Sequence, residues 1–220
     1  MNTLRTHGWR LILVLSAVVL LAGAPQHPSS EATDSLRDEL ATMTADDAWV
    51  PAHSLIVVST VLLALGLWTA YRQRVVPTSV QRTLGIAALA VSLYVVETVA
   101  HLAAVVDSDA LADGHSAPLA FGHIGLASFL YPITGWALVF LALALGRAWS
   151  GWRRVVAVVG VVAGILHAFS VPATILFPDT EFTPVFAGAA MSIAVFTLGI
   201  AVAGAPRRAT EPSRTAELVG

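Results

Sequence analysis

The chain contains no cysteine and no lysine. The first absence excludes disulfides, thiolate metal sites, cysteine nucleophiles and iron–sulfur clusters. The second excludes Schiff-base chemistry on a lysine, including a retinal pigment. Charge of either sign is scarce: 12% of the 220 residues are charged, against about 25% in an ordinary soluble domain. With 56% hydrophobic residues, the apolar surface exceeds what a core can hide and must meet lipid. No room remains for a sizeable soluble domain.

What is present is a set of apolar runs. A helical span needs about 20 apolar residues, and six segments approach or reach that length, at 9–24, 53–71, 83–106, 121–145, 155–177 and 185–204. The fold expected is all-α, a polytopic bundle of six spans. Residues 1–24 form an N-terminal anchor, 25–52 an outer acidic loop, 53–205 a bundle of five further spans, and 206–220 a tail that reads as disordered.

Eleven of the twelve arginines lie on one side of these spans, Arg37 being the exception. Arg72, Arg74 and Arg82 follow the second span; Arg147, Arg153 and Arg154 follow the fourth; Arg5, Arg10, Arg207, Arg208 and Arg214 sit at the termini. Basic residues near span ends stay in the cytoplasm, so both termini are expected inside, in the cell membrane. Asp34, Asp38, Asp46, Asp107, Asp109, Asp113, Asp179 and Glu181 fall on the opposite side. Trp68, Tyr71, Trp149 and Trp152 fall at the expected inner interface and Trp49 at the outer one, where amphipathic rings favour headgroups.

The first span also has the form of a signal peptide, with a basic start and Ala22-Gly23-Ala24 as a cleavage site. Pro25 directly after it argues for an uncleaved anchor. In the loop that follows, Ala32, Leu36, Leu40 and Met43 recur at helical spacing. A short amphipathic helix over the bundle mouth is expected, capped by Ser29 or Ser30 with Glu31 in its first turn.

Six of the seven histidines lie outside or in the outer half of the membrane: His27, His53, His101, His115, His123 and His167. At about 1.5 Å per residue, His101 is about 7 Å deep, Glu97 about 13 Å and His167 about 15 Å. Glu97 and His101 share a helix face, extended by Tyr94; Tyr131 and Thr134 follow His123. Two levels result. His53, His101 and His123 meet near the surface as cofactor ligands, and Glu97 meets His167 near the midplane as a proton relay or interhelical pair. His27 and His115 read as solvated loop residues.

Two or three imidazoles with a carboxylate suit a transition metal, with Glu97, His101 and His123 as the ligand set. Two facing imidazoles suit haem b. A Glu–His pair suits proton transfer. Tyr131-Pro132 and Pro172 interrupt backbone hydrogen bonding within spans, and Gly160-x-x-x-Gly164 allows close helix approach.

His27-Pro28, an acidic stretch, then Trp49-Val50-Pro51-Ala52-His53 before a span resembles multi-pass membrane proteins of GC-rich prokaryotes. That resemblance covers about 22–67. It implies a multi-helix membrane fold with His53 in a shared pattern, and carries no activity. The bundle also looks like bis-histidine cytochrome b proteins, although His101 and His167 differ in depth.

The functional expectation is an outward-facing His/Glu site that binds a metal or haem in a redox or sensory role. The alternatives are a small proton-coupled transporter, or a structural accessory subunit in which these groups only pack. The expected partners are the lipid bilayer and a second membrane protein or second copy of the chain, and no nucleic acid.

Overall fold

The computed structural model describes residues 2–28, 35–177 and 179–204. Its helices are α1 (Asn2–Gly23), α2 (Leu36–Thr44), α3 (Trp49–Arg72), α4 (Thr78–Ala103), α5 (Ser108–Ala112), α6 (Pro118–Ala148), α7 (Arg153–Leu176) and α8 (Thr183–Ala203). No strand occurs among the described residues. Six of the helices, all but α2 and α5, include a stretch long and apolar enough to cross a membrane. A helix satisfies its own backbone, which is what lipid demands. α6 and α7 continue through Pro132 and Pro172.

The six long helices form a closed ring in chain order. α1 packs on α3, α3 on α4, α4 on α6, α6 on α7, α7 on α8, and α8 returns to α1. Small residues set the closest seams. A Cβ at Gly164 would strike the carbonyl of Gly135, and one at Gly135 would strike that of Gly164, so α6 and α7 meet backbone to backbone. Gly160 receives the ring of Phe196, and Gly66 receives Leu13 of α1. Across the α1–α3 seam, Ser16 Oγ donates to the Ser59 carbonyl at 2.9 Å and Ser59 Oγ donates to the Ser16 carbonyl at 3.0 Å.

The two ends of the ring differ. At the arginine end Trp9, Leu13, Leu67, Leu84, Leu141 and Trp149 pack the interior around a void of about 20 Å³. At the acidic end a cavity remains, roofed by α2 and the connection through α5. Leu40 of α2 and Leu111 of α5 pack with Trp49 and Ala120 in a separate apolar cluster that joins the roof to the ring.

Two charged residues hold the roof. Arg37 Nη1 donates to the His115 carbonyl at 2.9 Å and reaches those of Leu111 and Ala110 at 3.4 and 3.5 Å. Its guanidinium also lies 5.3 Å from the Phe121 ring. Asp107 Oδ2 accepts from the backbone N–H of Leu119 and Ala120 at 2.6 and 3.0 Å. It caps the N-terminus of α6, where a negative charge is favourable.

Three expectations need correction. The amphipathic helix starts at Leu36, and its cap is Ser35, whose hydroxyl accepts from the Asp38 N–H; Ser29, Ser30, Glu31 and Ala32 lie outside the described residues, as does the tail 206–220. Trp49 is 0% exposed and Trp149 is 2% exposed, so both are core residues and not headgroup anchors. His27 is half-buried in a cluster and is not a solvated loop residue.

Candidate metal centre

Four histidines and one glutamate converge beneath the roof. Each comes from the acidic end of an element: His27 from the turn after α1, His53 from the start of α3, Glu97 and His101 from the end of α4, and His123 from the start of α6. Helical alternation in the ring brings these ends together. Asp107 sets the first turn of α6, and so the height of His123.

Ring-nitrogen contacts define the geometry. Nδ1 of His53 lies 2.7 Å from the carbonyl of Trp49, and Nδ1 of His27 lies 2.8 Å from that of Pro28. A carbonyl only accepts, so both Nδ1 atoms carry the proton and both Nε2 atoms keep a lone pair. Burial lowers the pKa of His27 below the usual histidine range, which favours that neutral form.

His101 lies between two groups. Its Nε2 is 3.2 Å from Nε2 of His53, and its Nδ1 is 3.8 Å from Oε1 of Glu97. Nδ1 of His123 is 2.9 Å from the same carboxylate oxygen. The His101 and His123 rings stack with centroids 4.0 Å apart. One ligand atom from each of His27, His53 and His101 falls within 4.8 Å of the others, and the same holds for Glu97, His101 and His123. Trp49 covers the cluster: it stacks on His53 at 4.0 Å, and its indole N–H donates to the Leu102 carbonyl at 3.3 Å.

Glu97 is 0% exposed, and its Oε2 has no hydrogen-bond partner among the described residues. Its Oε1 faces two histidines, neither of them His167. The expected Glu97–His167 pair is therefore not formed in this structure. His167 instead stacks on Tyr131 at 4.4 Å and meets Tyr94 edge-on at 4.8 Å. Residue counting from the span ends gives Glu97 and His167 similar depths, but in the structure Glu97 faces His123 of α6 while His167 of α7 packs on Tyr94 and Tyr131.

Of the three histidines expected at one level, His101 lies against both His53 and His123, but His53 and His123 fall in different ligand groups. His27 was missed because a histidine outside a span reads as solvated. Its signal is positional: His27-Pro28 follows the end of α1 directly, at the height of His53. His115 is exposed and belongs to neither ligand group. No known protein family matches the chain, and no curated protein or solved structure is similar to it.

Proposed function

We propose that this is a membrane metalloprotein that holds one first-row transition-metal ion on the Nε2 atoms of His27, His53 and His101, in a redox or sensory role. Three imidazoles suit zinc or copper, and three protein ligands leave a position for an external ligand, unlike a closed structural site.

The observation that carries this reading is the tautomer pattern. With Nδ1 of His53 protonated, its Nε2 lone pair faces Nε2 of His101 at 3.2 Å. Without an ion, His101 must place its proton there, which turns the Nδ1 lone pair towards the Glu97 carboxylate. With an ion among the three Nε2 atoms, His101 takes the same tautomer as His27 and His53, and its Nδ1–H faces Glu97. Each ligand then has an oxygen behind it: Pro28, Trp49 or Glu97. Such outer partners orient metal-bound histidines. A dication also gives the buried Glu97 carboxylate a nearby positive partner, which a buried charge requires.

Contacts between the histidine rings leave no slot for a porphyrin between them, which favours an ion over haem. The packed arginine half of the ring favours a one-ended site over a transport path. Arginine placement supports a cytoplasmic location for both termini, with the site open to the outer face of the cell membrane. The seating of Leu13 and Ser16 in the ring supports retention of the first span.

Metal analysis of detergent-purified protein tests the proposal. Reconstituted with zinc or copper and then desalted, the wild type should retain about one ion per chain, since three histidine ligands plus an external one complete a tetrahedral site. His53→Ala and His101→Ala should lose it, and His115→Ala should keep it. Absence of retained metal, or equal retention by His53→Ala, contradicts the reading.

A further inference from the structure

The cavity that reaches the histidine cluster contains a second polar feature, on a helix that carries none of the three Nε2 ligands. His167 on α7 is 4% exposed, lines the cavity, and has an Nε2 without a hydrogen-bond partner among the described residues. A buried ring nitrogen left unpaired is costly. The neighbouring hydroxyl groups donate elsewhere: Thr134 to the Ala90 carbonyl, Ser170 to the His167 carbonyl and Thr174 to the Ser170 carbonyl.

The walls around that nitrogen are aromatic and apolar. Tyr131 lies parallel to the His167 ring, 17° between planes, and Tyr94 stands across it at 87°. Tyr94 and Phe186 pack against the buried cluster of Ala127, Tyr131 and Val171, and Ala190 of α8 lines the same cavity. The whole cavity, from the histidine cluster down to this aromatic lower part, measures about 190 Å³. An apolar cavity of about 150 Å³ already accepts a benzene ring and stays dry.

We infer that this lower compartment binds a lipophilic monocyclic phenol, with its ring among Tyr94, Tyr131 and Phe186 and its hydroxyl on Nε2 of His167. Flat rings pack well against aromatic walls in edge or offset geometry. A hydroxyl both donates and accepts, so it satisfies either tautomer of His167, whereas a carbonyl or ether satisfies only the protonated nitrogen. A lipid acyl chain matches the walls but offers nothing to the nitrogen.

Binding of 4-propylphenol and of propylbenzene to the full-length, EDTA-treated protein in detergent tests this directly. Working without metal separates the outcome from that of the metal site. After correction for partition into empty micelles, wild type should bind the phenol at least ten-fold tighter than the hydrocarbon. His167→Phe, which keeps a ring against Tyr131, should bring the two within two-fold. Ala190→Phe, which fills the compartment, should weaken both. Equal affinities in wild type, no binding of the phenol, or a preference undiminished in His167→Phe overturns the inference. Should His167→Phe fail to fold, the wild-type preference and the weakening of both ligands in Ala190→Phe decide it.

Discussion

His53 and His101 face each other through Nε2 atoms 3.2 Å apart, while their Nδ1 atoms point to oxygen, at the Trp49 carbonyl and at Glu97. One histidine begins α3 and the other lies near the end of α4, so the contact also pins two transmembrane helices at their acidic ends. Around this contact the other groups take their places: His27 beside His53, His123 stacked on His101, and Glu97 beneath.

Glu97 is predicted to act through the histidines. Glu97→Gln keeps the shape but leaves a neutral amide behind His101 and His123. Metal affinity should fall by about 10–100-fold, the usual effect of losing a partner behind a metal-bound histidine. Competition with a zinc chelator of known affinity measures this, and unchanged affinity contradicts the assignment.

Arg37 is expected to hold the roof. Arg37→Ala removes the charged donor from the His115 carbonyl and should cost about 1.5 kcal/mol, the lower end for a hydrogen bond to a charged group. Hydrogen exchange across Leu36–Thr44 should accelerate more than exchange in α6 or α7. Uniform acceleration along the chain points to a global effect instead.

The α6–α7 seam has no space for a side chain. Gly164→Ala places a Cβ against the Gly135 carbonyl and the Val139 backbone. Overpacking of this kind typically costs about 1–3 kcal/mol, read as a lower thermal midpoint in detergent. Gly122→Ala, with open space around its Cβ position, should leave the midpoint nearly unchanged.

The natural absence of cysteine makes membrane orientation easy to read. A single cysteine at His115 should react with an impermeant maleimide added outside intact cells. One at Ser150, an exposed residue at the arginine end, should react only after permeabilisation. The reverse pattern places the histidine cluster in the cytoplasm and contradicts the orientation argued from the arginines.

Much of this architecture was legible because lipid imposes simple demands. Hydropathy located the six spans, and arginine placement separated the two ends. Counting residues from the outer surface placed His53, His101 and His123 at one height. Rotation about each helix axis was not legible in the same way. Height alone made Glu97 and His167 neighbours, whereas the ring order directs Glu97 to His123 and leaves His167 among tyrosines. His27 escaped notice because its burial depends on where α1 ends against α3, a tertiary fact. Trp49 fitted a headgroup anchor by position, yet it is enclosed because α2 and the α5 connection fold over it.

The central claim is that Nε2 atoms of His27, His53 and His101 share one ion, and X-ray absorption at the zinc edge of the loaded protein tests it most directly. The account predicts three imidazole nitrogens at about 2.0–2.1 Å, the usual zinc–histidine distance. It also predicts loss of one imidazole in His27→Ala, with none lost in His167→Phe. A spectrum without imidazole scattering, or one unchanged in His27→Ala, would contradict it.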